Sequence, residues 1–578
     1  MLDLKITNAT IVDGTGSPGR SGSIGVRDGR IVLDPQGEPA RETIDAGGNV
    51  VSPGFVDVHT HYDAQICWDP SLSPSCYHGV TTVFGGNCGF SIAPLTPDAA
   101  EYLVPMLARV EGMPIKALRE GVAWNWSSFD SYLAQFDGRI AINAGFLAGH
   151  STIRRVVMGE RAVGEKATEA DLEAMKALLS KCLTEGALGF SSTVSPTHND
   201  AEGLPVPSRH ASRDELLALA RVCRDHEGTV LELLPGTEFS QEIYQLLTDY
   251  SLAGGRPVNW NMLAVTNAEP DQLIRPQQQI EASSYARSKG AEVIALALAG
   301  PATMRLNFLS GFLLDAIEGW APTFQIPVPE RLEKFRDPAY RTMLDEAAHS
   351  NPGSLFLSFA NWRAYSVVET FAPENKDYVG RTIGEIADQE GKPPFDIMLD
   401  IAVADELKTS FMPAIEGDDH ATYLVRAQYW KDDRTVVGAS DAGAHNDMID
   451  TFAFSTKLLQ HGVREHKVIS LEEAIHQLTE VPAKLMGLKE RGCIRDGWNA
   501  DLVIFDPDTV ACGPVHTRND FPGGQMRLYA EAEGISHVII NGKLSIKDGV
   551  YNGSAAGTVL RSGRDTYTVG IPADLQAA

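Results

Sequence analysis

Pro53-Gly-Phe-Val-Asp-Val-His-Thr-His-Tyr-Asp63 is the stretch on which fold and chemistry both turn. Phe55 to Val58 is a short apolar run of the kind that forms a buried strand. Side chains alternate along a strand, so His59 and His61 share a face and leave the strand end together. Neutral imidazoles are good ligands for zinc and similar ions. A lone histidine would read as an ordinary polar residue. A His-x-His pair closing an apolar strand reads as two metal ligands, with the rest of the set due from later in the chain.

Working outward, Gly54–Val58 is the first of eight short apolar runs. The others are Val80–Phe84, Ile140–Phe146, Ala187–Ser191, Thr229–Leu233, Pro257–Asn261, Glu292–Leu298 and Thr435–Ala439. Helical patterns separate them, among them Glu169–Glu185, Arg213–His226 and Leu471–Leu485, the last with Ser470 and Glu473 spaced as a capping box. Eight strands alternating with helices predict an α/β fold of the (β/α)8 TIM-barrel type. Both chain ends read differently, as short strands turned by Asp28-Gly29 and Asn541-Gly542. The expected division is a small β-sandwich built from 1–52 and 490–578 around a barrel at 53–489. Residues from about 300 to 430 exceed any ordinary βα connection and predict an insertion, with a strand at Ser354–Ala360.

The composition sets outer bounds. In 578 residues, 43% hydrophobic and 22% charged, there is material for a large globular core. The net charge of −27, from 49 basic and 76 acidic residues, argues against nucleic acid or an anionic membrane as partner. No apolar run is long enough to cross a bilayer. Residues 1–8 lack the charged and apolar regions of a signal peptide, and the seven cysteines are scattered. Reduced thiols and a cytoplasmic setting are the expectation. The partner expected is a small-molecule substrate, with a homo-oligomer open.

Two further stretches carry chemistry. Gly79-Val-Thr-Thr-Val-Phe-Gly-Gly-Asn-Cys-Gly-Phe90 ends an apolar strand in a glycine-rich turn that bears Cys88. Thiolate is a strong zinc ligand, while a small buried hydrophobe is the plain alternative. Val436-Val-Gly-Ala-Ser-Asp-Ala-Gly-Ala-His445 delivers Asp441 to a strand end, where a carboxylate binds metal, accepts a proton from water, or both. His445, four residues on, is placed to touch substrate or to orient Asp441.

Taken together, Gly54-Phe-Val-Asp-Val-His-Thr-His, Gly79-Val-Thr-Thr-Val, Gly86-Asn-Cys-Gly, Gly149-His-Ser-Thr-Ile-Arg154, Gly438-Ala-Ser-Asp441 and Asn499-Ala-Asp-Leu-Val-Ile-Phe-Asp-Pro507 resemble the amidohydrolase superfamily. Within it the Gly-Asn-Cys-Gly and Gly-His-Ser-Thr elements are similar to the N-acyl-D-amino-acid deacylases. The resemblance implies a metal-dependent barrel with His59, His61, Cys88 and Asp441 lining the metal centre. It also implies histidines at the ends of strands five and six, and these are missing. Strand five offers Glu232, strand six reads Pro257-Val-Asn-Trp-Asn-Met262, and no bridging lysine follows strand four. The expectation is therefore one ion, zinc first with manganese or iron as alternatives, on His59, His61 and Asp441, with Cys88 or Glu232 as a fourth ligand. Asp441 is the expected general base. His150 is a candidate for substrate contact or for a structural hydrogen bond, Arg154, Arg305 and Arg363 are candidates to clamp a substrate carboxylate, and His198 and His210 read as loop residues that could reach the site from above. The activity implied is hydrolysis of an amide C–N bond in a linear N-acyl compound. A cyclic amide, as in dihydroorotases and hydantoinases, and a non-catalytic binding barrel are the alternatives.

Overall fold

The computed structural model describes residues 1–301, 303–311, 313–351 and 357–576. Strands from both chain ends share one nine-stranded sheet. In it Val50–Pro53 lies between Leu2–Ile11 and Leu502–Phe505, parallel to the first and antiparallel to the second. The two turns read from the sequence have both central residues left-handed: Asp28 and Gly29 at φ 51° and 77°, Asn541 and Gly542 at 46° and 77°. That is the conformation a tight hairpin needs and that Asn, Asp and Gly tolerate.

Two further sheets are parallel throughout. Phe55–Asp57, Val80–Gly85 and Asn143–Phe146 form one sheet. Ala148–Gly149, Gly189–Thr193, Val230–Leu234, Val258–Leu263, Val293–Ala297 and Thr435–Val437 form a second, in that order. Each of the eight apolar runs thus contains a strand, and helices such as Glu169–Thr184, Arg213–Val222, Gln241–Gly254 and Ile274–Arg287 follow the strands that feed them. Leu147, just past the third run, separates Asn143–Phe146 of the first sheet from Ala148–Gly149 of the second, and there its N–H donates to Gly85 O at 2.9 Å. At the other margin Thr60 and Ala442 form a parallel bridge, and Asp441 N donates to His59 O at 3.1 Å. The first and eighth strands are thereby joined where the histidine pair emerges.

Between Ala297 and Thr435 the described residues from Leu306 to Phe411 build an apolar cluster of their own, including Phe308, Trp320, Phe335, Trp362, Phe395 and Phe411. An aromatic core of this size makes the insertion a structured body rather than a long loop. It carries a short antiparallel pair, Ser366–Glu369 with Ser410–Met412. The strand expected at 354–360 falls partly on residues outside the described set, and Leu357–Ala360 is a 3-10 turn. Two other expectations change. The helix expected over Leu471–Leu485 is broken at Thr479 into Leu471–Leu478 and Glu480–Leu485. Pro482 causes this, because its ring cannot follow the carbonyl four residues earlier and it has no N–H to donate. Ser470 caps the first piece, but Glu473 does not reciprocate; its carboxylate accepts from Gln477 Nε2 at 2.9 Å instead.

Candidate metal centre

The first parallel strand ends at Asp57, whose Oδ2 accepts from Ser440 Oγ at 2.6 Å. The chain then carries His59 and His61 inward, both buried, with ring centroids 5.4 Å apart. The second strand ends in a turn of left-handed residues: Gly86, Cys88 and Gly89 have φ of 75°, 55° and 76°. A Cβ on Gly86 would lie 2.2 Å from Leu147 O, so no other residue fits there. Asn87 Nδ2 pins the turn by donating to Thr60 O at 3.1 Å and Phe84 O at 2.9 Å. Cys88 Sγ is thereby brought 3.4 Å from His59 Nε2. One ligand atom each from His59, His61 and Cys88 lies within 4.8 Å of the others.

Asp441 arrives from the opposite end of the sequence. The loop after the eighth strand is left-handed at Ala439 and Asp441, with φ of 60° and 50°, a conformation uncommon for such residues and concentrated at functional sites. It places Asp441 Oδ1 3.2 Å from His59 Nε2 and 3.7 Å from His61 Nε2. Asn261 Nδ2, from strand six, donates to the same oxygen at 3.0 Å. Glu232, from strand five, is fully buried; its Oε2 accepts from Cys88 N at 3.0 Å, and its Oε1 has no hydrogen-bond partner. A buried carboxylate oxygen left bare is costly unless something cationic meets it.

The site holds acidic groups that the sequence did not announce. Glu111, at the end of helix Pro97–Val110, puts Oε2 3.6 Å from His61 Nε2 and 3.9 Å from His445 Nε2. Asp63, two residues past the pair, is buried and accepts from Gly86 N at 2.9 Å. Burial and neighbouring carboxylates push Glu111 up to about 7, with His61 opposing. His61 is lowered by burial, but Glu111, Asp441 and Asp63 outweigh that and raise it to about 9. Burial raises Asp441, yet its hydrogen bonds to the two histidines hold it far below the usual carboxylate range. Burial, reinforced by Glu232, Glu111 and Asp441, drives the Cys88 thiol well up in the absence of a cation.

Of the other candidates, His150 and the three arginines are held by protein partners. His150 begins a helix, and both ring nitrogens are engaged, with Ser192 Oγ at 2.8 Å and Glu215 Oε1 at 3.0 Å. Both nitrogens thus serve protein partners, the structural one of the two readings offered for it. Arg154 is buried on the same Glu215 carboxylate, at 2.5 and 2.6 Å. Arg305 pairs with Glu369 at 3.2 Å, and Arg363 pairs with Asp388 on the surface. All three arginines are committed to protein partners and none is positioned as a carboxylate clamp. His445, at φ 45°, does reach the cluster through Glu111. His198 packs on Phe90, centroids 5.1 Å apart, and His210 bonds Pro205 O at 3.0 Å. A cavity of about 1050 Å³, lined in part by Arg30, Arg491, Trp498 and Tyr567, shares no residue with the cluster.

The residues present suit a divalent cation. Imidazole, thiolate and carboxylate donors converge from separate stretches, and bare carboxylate oxygens sit among them. Ligands bonded at about 2.1 Å to one tetrahedral ion stand about 3.4 Å apart. The separations of 3.2, 3.4 and 3.7 Å around His59, Cys88, His61 and Asp441 are of that size.

Similarity to known proteins agrees. An N-acyl-D-aspartate deacylase from Alcaligenes xylosoxydans xylosoxydans is 29% identical, over 88% of this chain and 86% of its own. A solved D-aminoacylase with a binuclear metal centre, activated by one metal and attenuated by the second, is 25% identical with a TM-score of 0.64, covering 97% of this chain and 100% of its own. An N-acyl-D-glutamate deacylase from Bordetella bronchiseptica, solved with zinc and a phosphonate mimic of the tetrahedral intermediate, shares the fold at 24% identity and a TM-score of 0.63, covering 97% of this chain and 100% of its own. The model of the amidohydrolase family matches residues 42–546. With most of its length inside that match, the chain belongs to the amidohydrolase family.

Proposed function

We propose that this protein is a metal-dependent hydrolase of amide C–N bonds, acting on a linear N-acyl amino acid or a related N-acyl compound. The observation that carries this is the meeting of His59, His61, Cys88 and Asp441, separated by up to 382 positions in sequence, around one buried point. The relatives that deacylate N-acyl-D-amino acids support the substrate class. We read the two parallel sheets as arcs of one eight-stranded barrel, on the strength of the links at Leu147 and between Thr60 and Ala442. The shared end sheet then bounds it as a β-sandwich of 1–52 and 490–578.

His59, His61 and Asp441 would hold one zinc ion, with Cys88 and Glu232 the donors available beside them. When bound, zinc supplies Lewis acidity that polarises a carbonyl and acidifies water. The Asp441 carboxylate takes the proton of the attacking water and returns it to the departing amine nitrogen. Asn261 Nδ2 holds its Oδ1 in place. The buried walls around His59, His61 and Cys88 exclude bulk water from the exchange.

The test is a panel of N-acetyl and longer N-acyl derivatives of D- and L-amino acids, with hydantoin and dihydroorotate as cyclic amides, assayed with the zinc-loaded protein. Release of free amine from a linear substrate is the expected result. Turnover of the cyclic amides alone would replace the linear reading. Inertness toward every amide would remove the catalytic one.

A further inference from the structure

We infer that Glu111 is a further protein ligand of the cation, reaching it on the His61 side. The inference rests on the metal-centre reading above. Glu111 is buried, at 2% exposure, and its Oε1 makes no hydrogen bond. Its Oε2 stands 3.6 Å from His61 Nε2 and 3.9 Å from His445 Nε2. Those separations exceed an N–H···O hydrogen bond, whose usual range ends at about 3.2 Å. The 3.6 Å separation from His61 suits two donors that share an ion at about 2.1 Å from each.

The backbone holds this carboxylate in position. Glu111 caps the C-terminal end of helix Pro97–Val110, its N–H donating to Leu107 O. Unpaired carbonyls at a helix C-terminus add partial negative charge, which favours a cation nearby. Glu111 O also accepts from His445 N at 2.5 Å, tying this turn to the loop that carries Asp441. The chain then reverses at Gly112, φ 56°, where a Cβ would stand 3.1 Å from His445 Nδ1 and 3.2 Å from its Cα. A glycine here lets the two loops close on each other. Both loops therefore bring a carboxylate to His61 Nε2: Asp441 at 3.7 Å and Glu111 at 3.6 Å.

The experiment is zinc binding, followed by competition with a chromophoric chelator on metal-stripped protein, for wild type, Glu111→Gln and Glu111→Asp. Cobalt(II) absorption spectra of the same three proteins are the second readout. Glu111→Gln keeps the size and one oxygen but loses the charge. It should weaken zinc at least about 10-fold, the lower bound for disturbing even an outer partner of a metal ligand, and should shift the cobalt spectrum. Glu111→Asp should bind between the two. If Glu111→Gln fails to fold, the zinc-loaded wild-type crystal structure decides, with a Glu111 oxygen within bonding distance expected. Wild-type affinity and spectrum in a folded Glu111→Gln, or a Glu111 carboxylate turned away from the ion, would overturn the inference. Failure of the wild type itself to bind zinc would instead overturn the metal-centre reading.

Discussion

Replacing Glu215 with leucine should destabilise the protein far more than an ordinary surface change. Arg154 and His150, both fully buried, converge on this one carboxylate. Without it the guanidinium keeps only carbonyl acceptors, Glu165 O at 2.9 Å and Ala162 O at 3.4 Å. Stranding a buried charge in this way costs about 3–5 kcal/mol. Unfolding entropy of about 2.1 cal/mol/K per residue, over a cooperative unit of about 400 residues, gives about 0.8 kcal/mol/K. The melting temperature of Glu215→Leu should therefore fall by about 4–6 °C, measured by calorimetry or circular dichroism at neutral pH. Removing the charge as well, in Arg154→Met/Glu215→Leu, should recover most of that loss, because the remaining groups are apolar and of similar bulk. His150 keeps its bond to Ser192 in both variants. A single variant that melts within about 1 °C of wild type, or a double variant no better than the single, would refute the claim that this network is structural and charge-compensated.

Asp441→Asn should cut amine release by about 10²–10⁴-fold, the ordinary worth of a positioned general base, with an unchanged circular dichroism spectrum. Stripping the metal should abolish turnover, and returning zinc at about 100 times its Kd should restore activity and add about 2.7 kcal/mol of stability, read as a higher melting temperature. His78 is buried between Thr456 Oγ1 and Ala530 O, and burial lowers it to about 4. A histidine with a depressed folded-state value favours folding above its ordinary value of about 6.5 and loses that contribution as pH falls toward 4, so the gap in melting temperature between wild type and His78→Gln should narrow from pH 7.5 to pH 5. Gly86→Ala should destabilise the Cys88 turn, because its Cβ would press on Leu147 O at 2.2 Å; unaltered stability and zinc affinity would show that the turn is looser than its contacts indicate.

What could be read from the sequence was whatever repeats locally. Apolar runs bounded by glycine and proline mark strands, and Asp-Gly and Asn-Gly mark hairpins, because both signals are set within a few residues. His59 and His61 were legible for the same reason: a two-residue period fixes their common face. Glu111 was not. It sits at a helix end, its partners His61 and His445 lie 50 and 334 positions away, and a single glutamate in a charged helix looks like a solvated one. For His150 the sequence left substrate contact and a structural hydrogen bond open, since its partner Glu215 lies 65 positions on in a stretch that is an ordinary amphipathic helix.

The two positions where related deacylases are expected to supply histidine are filled here in a way that bears on metal number. Glu232 spends one oxygen on Cys88 N and keeps the other bare. Asn261 spends its amide nitrogen on Asp441 Oδ1 and leaves its amide oxygen without a partner. An ion bound only at this end would find mainly oxygen donors and one high-lying thiol, with His59 the one imidazole beside that thiol, 3.4 Å from Cys88 Sγ. Imidazole and thiolate favour zinc, while carboxylate and amide oxygen suit harder ions such as magnesium or manganese. The His59 and His61 end keeps both imidazoles and the Asp441 carboxylate, with Glu111 beside them. Zinc should therefore partition to that end alone at low concentration. A second, weaker ion should be seen only with manganese or at high zinc, and two equivalent zinc sites in a titration would contradict the asymmetry of the donor set.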